Sequence, residues 1–356
     1  MKKRLKNLRK QIDEIDRKII GLLNERAKLA LAIGKLKKQK GKQVYAPDRE
    51  KEIYELIIKK NKGPIPKPSL KAIYREIMSA TLNIEQPVKV AYLGPPATFT
   101  HLASLKKFGS SVTHIPCDSI TDVFLEVEKG RAGYGVVPIE NSTEGVITHT
   151  LDMFIDSELK ICSEVSLEIS HNLLAKAKRV KIKKIYSNPQ VFGQCRHWLE
   201  ENLPGIEHIE VSSTTRAAEL ASTAKNAAAI AGSLAAEVYG LKVIATSIED
   251  SAQNMTRFLI ITKEEVESTS NDKTSIMFSI KDRIGALHNM LTPFRKYKIN
   301  LTKIESRPSK KKVWDYYFFV DFHGHHKDKN VKKALDELRK TCRFMKILGS
   351  YPASKE

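Results

Sequence analysis

The chain has 356 residues, more than one ordinary domain, which predicts two or three domains. Hydrophobic residues make up 41% of it, enough for packed cores, yet no apolar run approaches the roughly 18 to 20 residues of a membrane span. Because no apolar stretch follows the basic start Met1-Lys2-Lys3-Arg4, we expect no signal peptide and a cytoplasmic protein. The four cysteines lack Cys-x-x-Cys spacing, which argues against a disulfide framework and a zinc site.

The net charge of +20 permits three interpretations: a solubilising lysine-rich surface, a nucleic-acid partner or small anionic ligands. The basic residues are spread along the chain and are not interleaved with aromatics as in RNA-binding motifs, so we expect no nucleic-acid partner. His323, His325 and His326 lack carboxylate or cysteine partners at ligand spacing, and no glycine-rich phosphate loop occurs. The sequence therefore predicts neither a metal nor a cofactor.

Residues 1–86 have the pattern of an all-helical segment. From Leu5 to Leu36 apolar residues recur every three or four positions without a proline, which predicts one helix of about 32 residues and about 48 Å. A helix of that length needs a partner helix to cover its apolar stripe. We expect Asp48 to cap a second helix that ends near Gly63, and Ser69 to cap a third helix after a proline-rich turn.

Arg26 continues the apolar stripe, and a cation at a core-facing position must be paired. Either it forms an internal salt bridge with Glu25 or Glu50, or it belongs to an anion site to which Lys37, on nearly the same face, also points. Arg9 lies 17 residues before Arg26, about 25 Å along a straight helix. One small ligand therefore cannot bridge the two along one helix, whereas an antiparallel partner helix would bring a second copy's Arg9 to the same site.

The first segment resembles the all-helical chorismate mutases, which are interlocked dimers, in Leu8-Arg9, Asp16, Leu22-Leu23-Asn24-Glu25-Arg26, Lys37 and Pro47-Asp48-Arg49-Glu50. The resemblance implies that Arg9 of the second copy, Arg26 and Arg49 hold the substrate carboxylates. It places Lys37 and Glu85 at the ether oxygen and Glu50 at the ring hydroxyl, with Arg26, Lys37 and Glu85 as catalytic groups. The implied substrate-binding residues are Arg9, Arg26, Lys37, Arg49, Glu50, Thr81 and Glu85. Cations and hydrogen-bond donors suffice for a unimolecular rearrangement. The chain departs from the family at Ala46, where a second ring-hydroxyl contact often lies, at Thr81, which replaces a common serine, and at Glu85, which replaces a common glutamine.

The middle segment, residues 88–263, alternates β-rich runs with helical patterns, which predicts an α/β fold. The run Gly135 to Ile139 leads into Glu140-Asn141-Ser142-Thr143-Glu144, a polar cluster at the end of a buried strand. Such an edge is where α/β sheets bind ligands, although a capped helix start would use the same residue types. This string alone leaves both interpretations open.

Together with three other strings it resembles the prephenate dehydratases: Ala91 to Thr100, Ser187-Asn188-Pro189-Gln190 with Gln194-Cys195-Arg196, and Asn254-Met255-Thr256-Arg257-Phe258. The resemblance implies two α/β lobes with the substrate between them, Thr256 as the catalytic residue, and substrate contacts from Asn141, Ser187, Gln194 and Thr256. Arg257 either binds a carboxylate or is a surface cation that begins a strand. Asn188 replaces a common histidine. Because prephenate loses carbon dioxide and hydroxide together, a positioned hydroxyl donor would help the hydroxyl to leave.

Beyond a charged linker at 263–273, residues 274–352 read strand, helix, strand, strand, helix, strand, the βαββαβ order of an α+β ferredoxin-like domain. Gly285-Ala286-Leu287 opens a helix after a strand and either offers backbone donors to a carboxylate or forms a plain tight turn. With Asn300 to Pro308 and Leu348 to Pro352 it resembles the ACT regulatory domains attached to prephenate dehydratases. The resemblance implies phenylalanine bound between paired ACT domains by Gly285, Ala286, Leu287, Glu305, Ser306 and Arg307. His288 stands where those domains usually have an apolar residue.

The sequence therefore predicts a multidomain bifunctional enzyme of phenylalanine biosynthesis, both isomerase and lyase. It would convert chorismate to prephenate and then to phenylpyruvate, as a homodimer or higher homo-oligomer inhibited by phenylalanine. Two alternatives remain: an active dehydratase with a non-functional mutase domain, and a basic ligand-sensing or nucleic-acid-binding protein built on inactive domains. The joint presence of Arg26, Lys37 and Arg49 with Asn141 and Thr256 favours the bifunctional enzyme.

Overall fold

The computed structural model describes residues 1–39, 45–176, 182–251, 253–269, 271–280, 283–308 and 316–354. The chain divides into two compact units, Met1–Val88 with Phe108–Thr113, and Lys89–Lys107 with His114–Glu356. Asp282, which precedes the Gly-Ala-Leu string, and positions 313–315, where a strand was expected to begin, lie outside the described residues. None of the described helices combines the length and apolar character that a membrane crossing demands.

The first unit contains three helices, α1 (Lys2–Gln39), α2 (Pro47–Lys60) and α3 (Lys67–Glu85). The predicted long helix is confirmed, and it extends past both expected ends. The two predicted caps are wrong. Ala46 is the N-cap of α2, which leaves Asp48 in its first turn, and Pro66 is the N-cap of α3, which leaves Ser69 inside the helix. Proline near the start of each helix fixes a helical φ and needs no donor, so both helices begin before the expected polar cap.

The apolar stripe of α1 is largely uncovered within one chain. Its nine apolar side chains are each between 46% and 69% exposed: Leu5, Leu8, Ile12, Ile15, Ile19, Leu22, Leu29, Ile33 and Leu36. Exposed apolar surface on this scale marks an interaction site rather than a solvated face.

The second unit begins with a six-stranded sheet and its helices. Its elements are β1 (Lys89–Leu93), α4 (Phe99–Phe108), β2 (Thr113–Cys117), α5 (Ile120–Glu128), β3 (Tyr134–Asn141), β4 (Gly145–Val146), α6 (Thr148–Asp156), β5 (Lys160–Glu168) and, later in the chain, β11 (Met255–Thr262). The strand order is β2-β1-β3-β11-β5, and β4 pairs with β3. β1 is parallel to β3, whereas β11 is antiparallel to both β3 and β5. We call this sheet with its helices the first lobe.

The second lobe is inserted between β5 and β11. Its elements are β6 (Asn172–Ala175), β7 (Lys184–Ser187), α7 (Pro189–Gln194), α8 (Arg196–Asn202), β8 (Glu207–Glu210), α9 (Thr214–Thr223), β9 (Ala227–Ala231), α10 (Ser233–Tyr239) and β10 (Lys242–Ala245). The strand order is β10-β6-β9-β7-β8, with β7 parallel to both β8 and β9. The predicted α/β class of the middle segment is confirmed.

The C-terminal domain has the predicted βαββαβ order. Its elements are β12 (Asp272–Ser279), α11 (Ala286–Lys296), β13 (Leu301–Pro308), β14 (Tyr316–His323), α12 (Lys329–Thr341) and β15 (Phe344–Pro352), and its antiparallel sheet has the order β13-β14-β12-β15. Both helices pack through Met290, Phe294, Leu335 and Leu338 against one face of this sheet.

The other face of the C-terminal sheet packs against the first lobe. Met277, Phe319 and Tyr351 belong to the same buried core as first-lobe residues such as Phe154 and Leu259. At Gly349 the two backbones approach so closely that an added Cβ would lie 2.1 Å from the carbonyl oxygen of Ile161. Only glycine permits that approach. The C-terminal domain therefore packs in direct contact with the sheet of the first lobe, which contains β3 and β11.

Candidate active sites

In the first unit, α1 and α3 bring together the cationic and acidic residues singled out in the sequence. Arg26 donates from Nη1 to Thr81 Oγ1 at 3.1 Å, and the Thr81 hydroxyl donates to the carbonyl of Ile77 at 2.7 Å. Since the single proton of Thr81 goes to Ile77, its oxygen is left to accept from Arg26. The observed partner of Arg26 is thus the Thr81 hydroxyl, and not the carboxylate of Glu25 or Glu50 that an internal salt bridge would have used.

Glu85 lies against α1 because residue 34 is glycine. A Cβ at Gly34 would lie only 2.8 Å from Glu85 Oε2. Burial raises the pKa of Glu85, while the positive charges of Lys37 and Arg26 oppose that shift. The net effect is a raised pKa, so Glu85 stays protonated to a higher pH than a solvated glutamate does.

The remaining residues implied by the chorismate mutase resemblance are Glu50, Arg49 and Arg9. Glu50 accepts a hydrogen bond from the Tyr45 hydroxyl at 2.7 Å. Arg49 is exposed and pairs with Glu52 at 2.6 Å, and Arg9 is exposed on α1. Within the described part of one chain, neither Arg9 nor Arg49 forms a hydrogen bond or an ion pair with Arg26 or Glu85.

The second unit has a cleft of about 340 Å³ lined by residues of both lobes. Its apolar lining comes from Leu93, Phe99, Pro138, Ile147, Ile169 and Phe258, and its polar lining includes Asn141, Glu144, His171, Gln194, Asn254 and Thr256. An apolar pocket with a few convergent polar groups is typical of a small-molecule site.

Asn141 and Thr256 meet in this cleft because they are paired across β3 and β11. The amide nitrogen of Asn141 donates to Thr256 Oγ1 at 2.7 Å and to Asn254 Oδ1 at 2.6 Å. Its amide oxygen accepts from the backbone N–H groups of Thr143 and Glu144 at 2.9 and 3.1 Å. Asn141 is therefore held at both ends, and Thr256 Oγ1 acts as an acceptor toward it.

Gln194 reaches the cleft from the end of α7. Its Oε1 lies 2.8 Å from His171 Nε2, and its Nε2 donates to Glu144 Oε1 at 3.4 Å. Ser187, by contrast, is fully buried, and its hydroxyl donates to the carbonyl of Ile230 at 3.0 Å within the second lobe. The cleft therefore contains Gln194, whereas Ser187 is bonded to the sheet beside it.

Arg257 faces away from the cleft. Its Nη2 lies 2.6 Å from Asp321 Oδ2 in the C-terminal domain, and its Nε lies 3.1 Å from Glu140 Oε1. Burial alone would lower the pKa of Arg257, but the acidic groups around it, Asp321 first among them, raise that pKa above its ordinary value. Of the two interpretations of Arg257, the surface cation is wrong, since only 14% of its side chain is exposed. The carboxylates that it contacts are those of Asp321 and Glu140, and Arg257 does not line the cleft in which a substrate carboxylate would bind.

The polar residues of the cleft to which the sequence analysis gave no role include Asn254, Glu144 and His171. Asn254 is the first residue of the string Asn254 to Phe258, and Glu144 is the last residue of the polar string after β3, but neither was assigned a role. His171 carried no signal, because it lies alone before β6 and meets Gln194 only through the fold.

The C-terminal domain has a cavity of about 380 Å³ at the start of α11, lined by Gly285, Ala286, Leu287, His288, Arg283, Ile280, Tyr316 and Phe318. Gly285 is the N-cap of α11 with φ 75°, a left-handed conformation that favours glycine. Glu305, Ser306 and Arg307 lie on the edge strand β13, outside this lining, and Arg307 pairs with Asp152 of the first lobe at 3.0 Å.

These features define a multidomain enzyme with a helical mutase domain, a two-lobed dehydratase domain and a ferredoxin-like regulatory domain. Residues 8–86 match the family model of type II chorismate mutase, residues 90–266 that of prephenate dehydratase and residues 274–340 that of the ACT domain. The chain belongs to the family of bifunctional chorismate mutase/prephenate dehydratases.

Two relatives with that family name match nearly the whole chain. The protein from Aquifex aeolicus is 52% identical, with 98% of each chain covered, and that from Pseudomonas aeruginosa is 45% identical, with 98% of this chain and 97% of the relative covered. Among solved structures, prephenate dehydratase from Arthrobacter aurescens in complex with L-Phe matches with a TM-score of 0.68 and 35% identity, covering 75% of this chain and 90% of that chain.

Proposed function

We propose that the chain rearranges chorismate to prephenate in its helical unit and converts prephenate to phenylpyruvate in the cleft of its second unit. The observation that carries the proposal is the Asn141–Thr256 pair at the ends of adjacent strands inside an apolar cleft. The membership in the bifunctional family supports both activities. No metal or cofactor is assigned to either reaction.

In the cleft, the Thr256 hydroxyl donates a hydrogen bond to the hydroxyl of prephenate as that group departs. Asn141 supports this role because it donates to Thr256 Oγ1 and so occupies the acceptor side of that oxygen. Among the described residues none accepts the Thr256 hydroxyl proton, which leaves it for the substrate. Asn141 then acts mainly by orienting Thr256, and Gln194 binds the substrate with its amide.

In the helical unit, Arg26 binds a substrate carboxylate, and Lys37 and Glu85 stabilise charge that develops on the ether oxygen. Two copies of the chain complete this site. The exposed stripe of α1 supports a dimer, because a second α1 running antiparallel covers the stripe and brings its Arg9 toward Arg26. Arg49 and Glu50 complete the substrate-binding set.

Phenylalanine binds the ACT domain and inhibits the dehydratase. The cavity at Gly285, Ala286 and Leu287 supports this role, since the start of α11 offers backbone donors to a carboxylate beside Tyr316 and Phe318. Glu305, Ser306 and Arg307 on the open edge of β13 complete the site when two ACT domains pair. We place the enzyme in the cytoplasm.

One assay tests the whole assignment. The purified protein is given chorismate alone, and phenylpyruvate is followed with and without phenylalanine. We expect phenylpyruvate to form and phenylalanine to suppress it. Accumulation of prephenate would contradict the dehydratase assignment, and consumption of added prephenate but not of chorismate would contradict the mutase assignment.

A further inference from the structure

His171 is a buried residue of the cleft with only one ring nitrogen engaged. It is 2% exposed, its Nε2 lies 2.8 Å from Gln194 Oε1, and its backbone N–H donates to Glu249 Oε2 at 2.8 Å. The ring of Phe99 packs edge-on against it, with 6.0 Å between the centroids. Both the backbone and the ring of His171 are therefore fixed in place.

The other ring nitrogen determines which tautomer is present. Nδ1 of His171 is buried and has no hydrogen-bond partner among the described residues. A buried N–H without an acceptor is rarer and costlier than an unused lone pair, so the proton resides on Nε2. Burial also lowers the pKa of His171, which keeps the ring neutral. In this tautomer Nε2–H donates to Gln194 Oε1.

That hydrogen bond decides which way round the Gln194 amide lies. With its oxygen bound to His171, its NH₂ group is directed toward Glu144 and the cleft. Prephenate carries two carboxylates, which accept hydrogen bonds and repel an amide oxygen. An amide that rotates by a half turn would therefore present the wrong group to the substrate.

We propose that His171 is a positioning residue that fixes the amide of Gln194 as a hydrogen-bond donor to the anionic substrate of the cleft. The role rests on the proposed dehydratase activity. This role differs from a packing role because it depends on the Nε2–H donor of His171 and not on the volume of the ring.

The test compares two replacements of His171 in the full-length protein. His171→Phe keeps the ring volume without a donor, whereas His171→Gln places an amide donor near the former Nε2. We expect His171→Phe to lower dehydratase kcat/KM about tenfold, mainly through KM, because the lost interaction is a hydrogen bond that binds an anion. His171→Gln should restore most of the loss. Mutase activity and melting temperature serve as controls for folding.

A double-mutant cycle with Gln194→Leu separates positioning from packing. If His171 acts through Gln194, His171→Phe adds less than about a twofold further loss in the Gln194→Leu background. Additive losses, or equal losses in His171→Phe and His171→Gln with folding intact, would overturn the role of His171. Absence of prephenate turnover in the unaltered protein would instead overturn the proposed function.

A second, independent observation is a cluster of six charged side chains between the first lobe and the ACT sheet. We call it the interdomain charge cluster, and it consists of Arg257, Lys273, Lys303, Glu140, Glu164 and Asp321. Each side chain is at most 30% exposed, and three positive charges meet three negative ones. Buried charges of this kind require close pairing, so a displacement of one domain relative to the other disturbs the cluster.

Two members of the cluster are the chain neighbours of the candidate catalytic pair. Glu140 precedes Asn141 on β3, Arg257 follows Thr256 on β11, and the two charged residues are paired across the strands. Because side chains alternate along a strand, Asn141 and Thr256 face the cleft while Glu140 and Arg257 face the ACT domain. On the ACT side, Asp321 of β14 binds Arg257.

Lys303 adds a connection to the phenylalanine site. It binds Glu140 from β13, the strand that also carries Glu305, Ser306 and Arg307. We infer that the interdomain charge cluster couples phenylalanine binding to the cleft: a shift of β13 and β14 moves Glu140 and Arg257, and thereby the Asn141–Thr256 pair. The coupling rests on the proposed inhibition by phenylalanine.

Lys303→Met tests the coupling, with Lys296→Met as the matched control. Lys296 is also an ACT lysine in an ion pair, but its partner Glu337 lies in the same domain and both are more exposed. We expect Lys303→Met to bind phenylalanine in calorimetry within about twofold of the unaltered protein, yet to need at least about fivefold more of it for half-inhibition, as loss of a typical coupling energy predicts. Lys296→Met should leave both quantities unchanged.

Unchanged inhibition in a folded Lys303→Met protein would overturn the coupling, as would an equal loss in Lys296→Met. Asp321→Asn provides a second variant, because it keeps the shape of the side chain while removing its charge, and should weaken inhibition in the same direction. If the unaltered protein fails to bind phenylalanine, the proposed regulation fails rather than the coupling.

Discussion

Asn141 and Thr256 lie directly opposite each other on β3 and β11, and the Asn141 amide donates to Thr256 Oγ1 at 2.7 Å. An amide that donates to a hydroxyl oxygen leaves the hydroxyl proton free for another acceptor. The pair thus turns a hydroxyl that is a weak acid into an oriented donor. Its apolar surroundings strengthen the bond it makes to the substrate.

Replacing Thr256 with valine removes the hydroxyl while keeping the shape of the side chain. Dehydratase kcat should fall by at least about 100-fold, since a positioned proton donor contributes about that much or more. Thr256→Ser should retain substantial activity because it keeps the donor. Steady-state kinetics with prephenate measure both variants. Equal activity of the valine and serine variants would exclude the hydroxyl from the reaction.

Arg26 and Thr256 lie in different compact units, which predicts separable activities. Arg26→Ala should abolish mutase turnover, because it removes the cation for a substrate carboxylate, while added prephenate is still dehydrated. Lys59→Ala, at the exposed end of α2, is the matched control and should leave both activities unchanged. Loss of both activities in a folded, dimeric Arg26→Ala protein would contradict independent sites.

Gly349 determines how closely the ACT sheet approaches the first lobe. In Gly349→Ala the new Cβ would lie 2.1 Å from the Ile161 carbonyl oxygen, and backbone on both sides prevents relief. We expect a loss of about 1 to 3 kcal/mol in the free energy of unfolding, as for other overpacked cores. Chemical denaturation measures this loss. Gly193→Ala, where the added Cβ meets open space, should be nearly neutral; an equally neutral Gly349→Ala would contradict the close packing.

The fold was predictable where the sequence pattern is local. The three-residue and four-residue spacing of apolar residues gave α1, and the strand and helix order gave the ACT domain. The N-caps of α2 and α3, Ala46 and Pro66, were not predictable in this way. A proline near the start of each helix replaced the expected polar cap.

Contacts between residues far apart in the chain also could not be predicted from the sequence. Arg257 was expected either to bind a substrate carboxylate or to be a surface cation, but strand alternation turns it toward Asp321, 64 positions later. His171 and Gln194 are brought together only by the fold of the second lobe. Arg26 likewise donates to Thr81 between two helices, a partner that neither of its two interpretations, an ion pair with Glu25 or Glu50 and an anion site, had named.

Glu85 should give the mutase an activity that depends on pH. Its pKa is raised by burial, against the opposing charges of Lys37 and Arg26. Only the protonated carboxyl can donate a hydrogen bond to the ether oxygen as negative charge develops there, and the carboxylate would repel that charge. Because the protonated form prevails below the pKa, mutase kcat/KM should fall as the pH rises through the raised pKa of Glu85.

Glu85→Gln provides the decisive comparison, since glutamine donates at every pH. The variant should show a flatter mutase profile and a higher activity at neutral pH than the unaltered enzyme. Dehydratase activity with added prephenate, measured over the same pH range, controls for general effects on the protein. A pH profile that is unchanged in a dimeric Glu85→Gln protein would show that Glu85 does not act on the ether oxygen, whatever its pKa.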